Sequence, residues 1–244
     1  MRAISHLRST TARQATPLDM TKGAIGAVFL ALMFLCEAFA QESPTPSPMP
    51  SASPARYVRI SFVPPPLEGT ISLGIYDSSG KLARVLHQEA ELDEFTVGAD
   101  ALVTKWDGKN DDGQDLTAGK YHARGYLVGR LKVENLGKEA TPPPADAPTG
   151  YVQVKLMPNP LVNNERPIVD LAVGFDDENS FLKTKDDLPL YTISEKPNLV
   201  RTVIAKNGEK SVDVWQDDGA VVEQFRVSNI DKMMAFDCGE IELK

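Results

Sequence analysis

The fold is decided by Tyr76-Asp77-Ser78-Ser79-Gly80 and Trp106-Asp107-Gly108, the first two of four turn-forming clusters between residues 75 and 121. The other two are Asp111-Asp112-Gly113 and Ala118-Gly119-Lys120-Tyr121. Each cluster combines a turn former with an aromatic or acidic residue, and alternating apolar residues lie on either side. This pattern is typical of short strands joined by tight turns.

Apolar and polar residues alternate in the segments around these turns. The alternation predicts strands at 58–62, 71–76, 82–88, 102–106 and 119–128. Trp106 is large enough to fill the centre of a small sandwich, and Gly119 lets the chain turn so that Tyr121 re-enters the sheet. Helix signals are nearly absent. We therefore predict an antiparallel β-sandwich over residues 57–136.

The joint spacing of these clusters resembles the immunoglobulin-like domain of the flagellar hook-capping protein, a domain that recurs in many exported bacterial proteins. The resemblance covers residues 57 to about 130 and depends on Tyr76, Asp77, Gly80, Trp106, Asp107, Gly108, Gly113, Gly119 and Tyr121. It implies an immunoglobulin-like sandwich that acts in assembly or adhesion at the cell envelope. The segment that docks the hook-capping protein to the flagellum is not recognisable here. Asp100 and the long loop from Asp93 depart from the family pattern and leave the strand pairing before Trp106 open.

Short strands separated by acidic turns continue through residues 151–244. We predict them at 168–173, 181–184, 190–193, 199–205, 211–215, 221–227, 233–236 and 240–243. Asn207-Gly208 and Asp218-Gly219 are hairpin signals, so the region is a β-meander. It resembles one or two blades of a β-propeller, a fold that needs about four or more blades to close. The unit is therefore either a small independent sandwich or a truncated propeller.

The first forty residues have the pattern of a signal peptide. Basic residues precede an apolar run from Ala24 to Cys36, and Ala38-Phe39-Ala40 forms a small-x-small cleavage site. Met20 offers an alternative start for translation, and an uncleaved anchor is the alternative to cleavage. The sequence thus predicts a secreted, periplasmic or envelope protein, with no membrane contact after cleavage.

Two proline-rich stretches divide the rest of the chain. Residues 41–56 have proline at alternate positions and few apolar residues, so they predict an extended tether. Residues 137–150 contain Pro142-Pro143-Pro144 and predict a linker. The predicted domains are therefore a sandwich at 57–136 and a hairpin-rich unit at 151–244.

Charge and cysteine content limit the partners. The first forty residues hold four of the 26 Lys and Arg and two of the 34 Asp and Glu, so cleavage changes the net charge from −8 to −10. Such a balance disfavours nucleic acid as a partner. Cys238 is the only cysteine after residue 40, so no intrachain disulfide can form in the exported chain.

An acidic loop follows Trp106 and has two interpretations. Its oxygen-bearing residues Asp107, Asn110, Asp112 and Asp115 have a spacing reminiscent of calcium sites. However, counting back from Gly113 places Gly108 at the first ligand position of the helix-loop-helix calcium motif, where an aspartate is needed. We therefore interpret the loop as a structural turn, with a calcium site as the alternative and no other cofactor predicted.

No catalytic constellation is found in the sequence. His87 and His122 lie on predicted strands without metal-ligand spacing, and neither a nucleophile elbow nor a phosphate-binding glycine loop occurs. Phe236-Asp237-Cys238-Gly239 resembles the aspartic-protease motif, but those enzymes need two such carboxylates. We therefore interpret Asp237 as a turn residue and predict that the protein is not an enzyme.

Two classes of function follow from these features. The first is an exported structural or interaction module that acts in envelope or extracellular assembly or adhesion and contacts a protein or a surface polymer. The alternative is a polymer-binding accessory domain of a secreted hydrolytic system that uses exposed aromatic residues such as Tyr126 or Trp215 to bind carbohydrate. The position of these aromatic side chains, on an open sheet face or inside the core, distinguishes the two.

Overall fold

The computed structural model describes residues 56–139, 150–162 and 166–244. The predicted signal peptide, nearly all of the predicted tether and most of the predicted linker lie outside these residues. The described part of the chain is all-β, with no α-helix and one short 3-10 turn at Leu92–Glu94. It contains no helix long and apolar enough to cross a membrane.

Fifteen strands form four antiparallel sheets in the described residues. The strands are β1 (Val58–Phe62), β2 (Gly69–Tyr76), β3 (Leu82–Ala90), β4 (Thr96–Val97), β5 (Leu102–Trp106), β6 (Gly119–Gly129), β7 (Lys132–Glu139), β8 (Tyr151–Lys155), β9 (Ile168–Phe175), β10 (Asn179–Thr184), β11 (Pro189–Glu195), β12 (Arg201–Asn207), β13 (Ser211–Asp217), β14 (Val222–Ser228) and β15 (Met233–Leu243). Sheet I has the order β1-β5-β4 and sheet II the order β15-β6-β2-β3. Sheet III has the order β11-β10-β9-β8 and sheet IV the order β12-β13-β14-β7.

Sheets I and II pack face to face as the predicted sandwich. Because side chains alternate across a strand, Ile71, Leu73 and Ile75 of β2 all point toward sheet I. Trp106 is fully buried there, its ring centroid lies 5.0 Å from that of Tyr121, and its Nε1 donates to the Lys109 carbonyl at 2.9 Å. The indole therefore fills the sandwich with its one polar atom satisfied.

The two predicted domains share strands. β15, near the end of the second predicted unit, pairs with β6 of the first, from Met233 opposite Val128 to Leu243 opposite Gly119. β7 leaves the first region and pairs with β14 in sheet IV. The boundary at 137–150 therefore does not separate the sheets, and residues 137–139 belong to β7 rather than to a linker. Hairpin signals indicate local pairing only, so this non-local pairing was not predicted from the sequence.

Sheet II is covered on its second face as well. Gly74 lies on this face, where an added Cβ would come within 2.7 Å of Leu82 on the neighbouring strand and 3.2 Å of Leu188 next to sheet III. A second contact joins β3 of sheet II to β11 of sheet III. The Glu89 carboxylate accepts hydrogen bonds from the Thr192 amide and hydroxyl, both at 2.6 Å, and Glu89 itself adopts a φ of 48°. These contacts hold sheet III against the outer face of sheet II.

Sheets III and IV enclose one apolar core, which includes Leu171 and Leu182 from sheet III and Val214 and Phe225 from sheet IV. A ring of three polar side chains joins the two sheets inside it. Gln216 Nε2 donates to Ser180 Oγ at 2.6 Å, Ser194 Oγ donates to Gln216 Oε1 at 2.8 Å, and the two serine oxygens are 3.2 Å apart. Buried polar groups stabilise a core only when each has a partner, and this ring meets that condition.

Most strands lie where the alternation predicts them, with three additions and one correction. β4, β7 and β8 were not predicted. The strands predicted at 233–236 and 240–243 are one strand, because Asp237 pairs with Arg124 and Gly239 with Ala123 across a β-bulge. Asp237 is therefore a bulge residue rather than a turn residue, and the strand continues past it because β6 offers a partner along its whole length.

Replacing Trp106 by alanine should lower the free energy of unfolding by about 3–5 kcal/mol, the usual cost of deleting a buried aromatic side chain. Urea unfolding followed by circular dichroism measures the change without relying on tryptophan fluorescence. Tyr57→Ala is the matched control, because this aromatic side chain is 66% exposed and its loss should cost less than about 0.5 kcal/mol. Equal midpoints for the two variants would show that the indole does not organise the sandwich.

Replacing Gln216 by glutamate should destabilise the protein at neutral pH by about 3 kcal/mol, because the charged carboxylate cannot donate to Ser180. Burial raises the pKa of the introduced carboxyl above that of the unfolded chain, about 4.3. The loss should therefore be small below pH about 4 and grow as the pH rises through that value. Urea midpoints measured between pH 3.5 and pH 7 test this.

The combined variant Ser180→Ala, Ser194→Ala and Gln216→Leu is the control for that experiment. It removes all three polar side chains together, so no buried donor or acceptor is left unpaired. We expect it to be more stable at pH 7 than Gln216→Glu and to show no comparable pH dependence. A combined variant as unstable as Gln216→Glu would contradict the importance of the hydrogen-bonded ring.

Candidate functional site

The acidic loop after Trp106 uses its oxygen atoms to form the loop. Asp107 Oδ1 accepts from the Lys109 amide at 3.1 Å, and Asn110 Oδ1 accepts from the Gln114 amide at 2.8 Å. Asp115 Oδ1 pairs with Lys109 Nζ at 2.9 Å, and this contact lowers the pKa of Asp115. These contacts stabilise the loop itself, and no three of its carboxylates lie close enough together to hold a metal ion.

Asp111 and Asp77 also stabilise local backbone. Asp111 accepts from the Val85 amide at 3.0 Å, which ties the loop to β3. Asp77 accepts from the Ser79 hydroxyl and amide and from the Lys81 amide, and these hydrogen bonds lower its pKa. Gly80, Gly108 and Gly113 close these turns with φ of 83°, 75° and 75°, a region that favours glycine.

Tyr121 completes the sequence signature from inside the sandwich. Its hydroxyl donates to the Thr117 carbonyl at 2.9 Å, across the corner that Gly119 forms. A tyrosine that bonds back to the chain a few residues upstream is a feature of immunoglobulin-like sandwiches. The aromatic members of the signature are therefore parts of the core and its corner.

The two histidines lie apart from each other, and each makes a small local contact. His87 Nε2 lies 2.7 Å from Thr104 Oγ1, and burial lowers the pKa of this imidazole. His122 Nε2 lies 2.7 Å from Asp237 Oδ1, which also accepts from the Gly239 amide at 2.6 Å. Burial raises the pKa of the Cys238 thiol to about 12, so this cysteine is a thiol at neutral pH.

The described residues contain no group of three or more His, Cys, Asp or Glu side chains that could hold a metal ion. Several shallow concavities of the described residues contain mixed charges, and two of them lie at the two ends of β2. One, of about 850 Å³ at the end of sheet II, is lined by Glu68, Glu91, Asp93 and Arg130. The other, of about 420 Å³, lies beside the Lys120–Glu240 ion pair. Neither contains a nucleophile paired with a base.

The two aromatic residues named for polymer binding lie in different environments. Tyr126 packs against the core under sheet III, where burial, together with the charge of Asp186, raises its pKa to about 12. Trp215 is half-buried on β13. Its neighbours Val214 and Gln216 point into the core, so Trp215 points to the opposite, outer face of sheet IV. Tyr126 is therefore not available to a polymer, whereas Trp215 is on an outer sheet face.

The strand register places a defined set of residues around Trp215, and we call it the Trp215 face. Residues directly opposite each other in adjacent antiparallel strands share a face. One row across sheet IV contains Val203, Trp215, Gln224 and Gly137. The next row contains Ala205, Asp213, Arg226 and Glu134. The remaining rows contain Arg201, Asp217 and Val222 at one end, and Asn207, Ser211, Ser228 and Lys132 at the other.

Asp213 and Arg226 form the best-defined polar contact of this face. Arg226 donates from Nε to Asp213 Oδ1 at 2.8 Å and from the guanidinium Nη2 to Oδ2 at 3.0 Å. Asn207 Nδ2 also donates to Oδ2 at 3.0 Å. Burial would raise the pKa of Asp213, but these hydrogen bonds outweigh it and lower the pKa. The pair is therefore charged and held in a fixed orientation beside the indole.

The sequence pointed to Trp215 but not to its neighbours. Ser211, Asp213 and Trp215 alternate with apolar residues, so their common face could have been read from the sequence. The register of three strand pairs, including the non-local pair of β7 with β14, is what brings the other residues to Trp215. These residues are Asn207, Gln224, Arg226 and Gly137.

Addition of calcium at about 5 mM should leave the melting temperature unchanged within about 1 °C, because the oxygens of Asp107, Asn110 and Asp115 already bind amides and Lys109. A ligand bound only by the folded state raises the melting temperature. A rise of several degrees that is lost in Asp112→Ala would support the calcium alternative instead. Magnesium at the same concentration is the control for ionic strength.

Comparison with known proteins identifies no relative: no protein-family model, no curated protein and no solved structure matches this chain.

Proposed function

We propose that this protein is an exported, non-enzymatic interaction module of the bacterial cell envelope. The observation that supports the proposal best is the use of its polar side chains. Backbone amides or single side chains close by hold three carboxylates of the acidic loop, both histidines and Asp237; the three carboxylates are those of Asp107, Asp111 and Asp115. Groups occupied in this way stabilise a scaffold and are poorly placed to bind or transform a small molecule.

The strands shared between the two regions are a second argument for a scaffold role. Binding surfaces depend on rigid elements, and a surface built on sheet IV is supported by the core that sheets III and IV enclose. Sheet IV in turn is joined through β7 to β6 of sheet II. A load applied at one sheet is therefore shared by the others, as an adhesion or assembly role would need.

The sequence before residue 57 also supports an extracytoplasmic role. The signal-peptide pattern of residues 1–40 favours export, and the resemblance of residues 57–130 to the hook-capping domain favours assembly or adhesion. The proline-rich composition of residues 41–56 predicts a tether between the signal-peptide pattern and the sandwich.

Binding of a polymer by a secreted hydrolytic system's accessory domain is the second candidate. A specific observation favours it: Trp215 lies on an outer sheet face, beside an oriented carboxylate and guanidinium. Aromatic side chains flanked by a few fixed polar groups are common in binding sites. The two candidates differ in the partner, since the first allows a protein and the second requires a polymer.

Expression of the full chain in a bacterium tests export and interaction together. We expect the protein outside the cytoplasm, with a mass that corresponds to cleavage after Ala40, and saturable binding of this form to isolated envelopes. The double variant His122→Ala and Asp237→Ala should bind equally well, because these side chains serve a local contact. Retention in the cytoplasm with an intact N-terminus, or the absence of saturable binding, would contradict the proposal.

A further inference from the structure

We propose that the Trp215 face binds a neutral polysaccharide, with one sugar ring stacked on the Trp215 indole. This inference rests on the polymer-binding candidate above and specifies its ligand. The face lies on sheet IV, opposite the core shared with sheet III, and its central aromatic residue is half-buried among polar neighbours.

The row through Trp215 has no side chain at its far end, one strand beyond Gln224. Val203 flanks it on β12, Gln224 on β14, and Gly137 on β7 lies one strand further. An added Cβ at Gly137 would meet no atom of the described residues within 4 Å. Since neighbouring strands are about 4.8 Å apart, Gly137 leaves an open shelf about 10 Å from Trp215. A flat ring on the indole can therefore continue into a chain that crosses the shelf.

The next row supplies hydrogen-bonding groups at fixed positions. A guanidinium has five N–H donors, of which Arg226 uses two on Asp213, and Asp213 retains acceptor capacity on Oδ1. The Gln224 amide also interacts with Asp213, and it retains a donor and an acceptor next to the indole. Paired donors and acceptors match vicinal hydroxyl groups, each of which donates and accepts.

The charge of the face favours a neutral ligand. Among the side chains that the structure describes here, three are cationic, Arg201, Arg226 and Lys132, and three are anionic, Asp213, Asp217 and Glu134. Arg226 pairs with Asp213, and Lys132 pairs with Glu134 at 3.7 Å. The chain as a whole has a net charge of −8, so this balanced patch contrasts with it. Neither a polyanion nor a polycation would gain from complementary charge.

The same composition disfavours a protein partner. The centres of protein interfaces are enriched in apolar and aromatic residues and depleted of charged ones. Here a single indole is surrounded by Gln224, Asp213 and Arg226, with Val203 as its one apolar cross-strand neighbour. Stacking on one ring, with hydrogen bonds around it, is the arrangement that suits a carbohydrate.

Affinity electrophoresis and sedimentation with polysaccharides test the proposal on the exported form of the protein. The neutral arm contains cellulose, chitin, mannan and starch, and the anionic arm contains polygalacturonate and heparin. We expect retention by at least one neutral polymer, unchanged at about 0.5 M salt because no ion pair with the ligand is involved. Trp215→Ala should weaken binding at least about tenfold, and Arg226→Lys should weaken it less, because it keeps the charge but loses the two-point geometry.

Matched controls separate loss of the site from loss of the fold. Tyr57→Ala removes an exposed aromatic side chain that lies outside every strand and should bind like the wild type. Circular dichroism melting confirms that Trp215→Ala is folded. Trp106 is fully buried, so a ligand-induced change in the exposed part of the tryptophan fluorescence, lost in Trp215→Phe, reports contact at Trp215.

Three results would overturn the inference. The first is failure of the folded protein to bind any neutral polymer, and the second is binding only to the anionic arm with strong salt dependence. The third is envelope binding that needs Trp215 but is abolished by protease treatment of the envelopes, which would identify a protein ligand. In this third case the interaction module stands and only its ligand is wrong, whereas absence of all envelope and polymer binding would reject the proposed function as well.

Discussion

The structure depends on the antiparallel pairing of β6 with β15. β6 is bonded on its other side to β2, and the chain leaves it through a short turn into β7 of sheet IV. β6 therefore belongs to the first sandwich, pairs with β15 and is followed in the chain by a strand of sheet IV. Without β15, Phe236 and Leu243 would be absent from the cores of the first sandwich.

Burial of sheet II on both faces follows from this arrangement and restricts its residues. On the face toward sheet I the side chains of β2 are large and apolar. On the other face β2 has Ser72, Gly74 and Tyr76, and an added Cβ at Gly74 would lie 3.2 Å from the Leu188 side chain. Tyr76 stacks under the Arg124 guanidinium, 3.8 Å from the ring centroid, and Arg124 also pairs with Asp186 of the β10–β11 turn. Small residues and one oriented cation thus let sheet III approach closely.

The sequence predicted what is local and missed what is distant. Alternation and turn chemistry predicted β5 at Leu102–Trp106, the hairpin turn at Asp77–Gly80 and the burial of Trp106, because each depends on neighbouring residues. The partner of a strand depends on the whole chain, so the exchange of β7 and β15 between the two regions was not predicted. Asp237 illustrates the difference. Its position before Cys238 and Gly239 predicted a turn, whereas pairing with the long strand β6 keeps it within a sheet. The candidate site shows the same division, because Trp215 was named from sequence and Arg226 was placed beside it only by the register.

The position of β15 has a consequence for the order in which the chain becomes structured. Met233 pairs with Val128, so the first sandwich lacks an edge strand until more than a hundred further residues have emerged from the ribosome. Contacts so far apart in sequence form slowly, since a large loop must close before they are made. A chain that must thread through a translocation channel has to remain unfolded until it reaches the far side. In the export that we propose, the late strand at residues 233–243 would delay completion of the fold and keep the nascent chain competent for such passage.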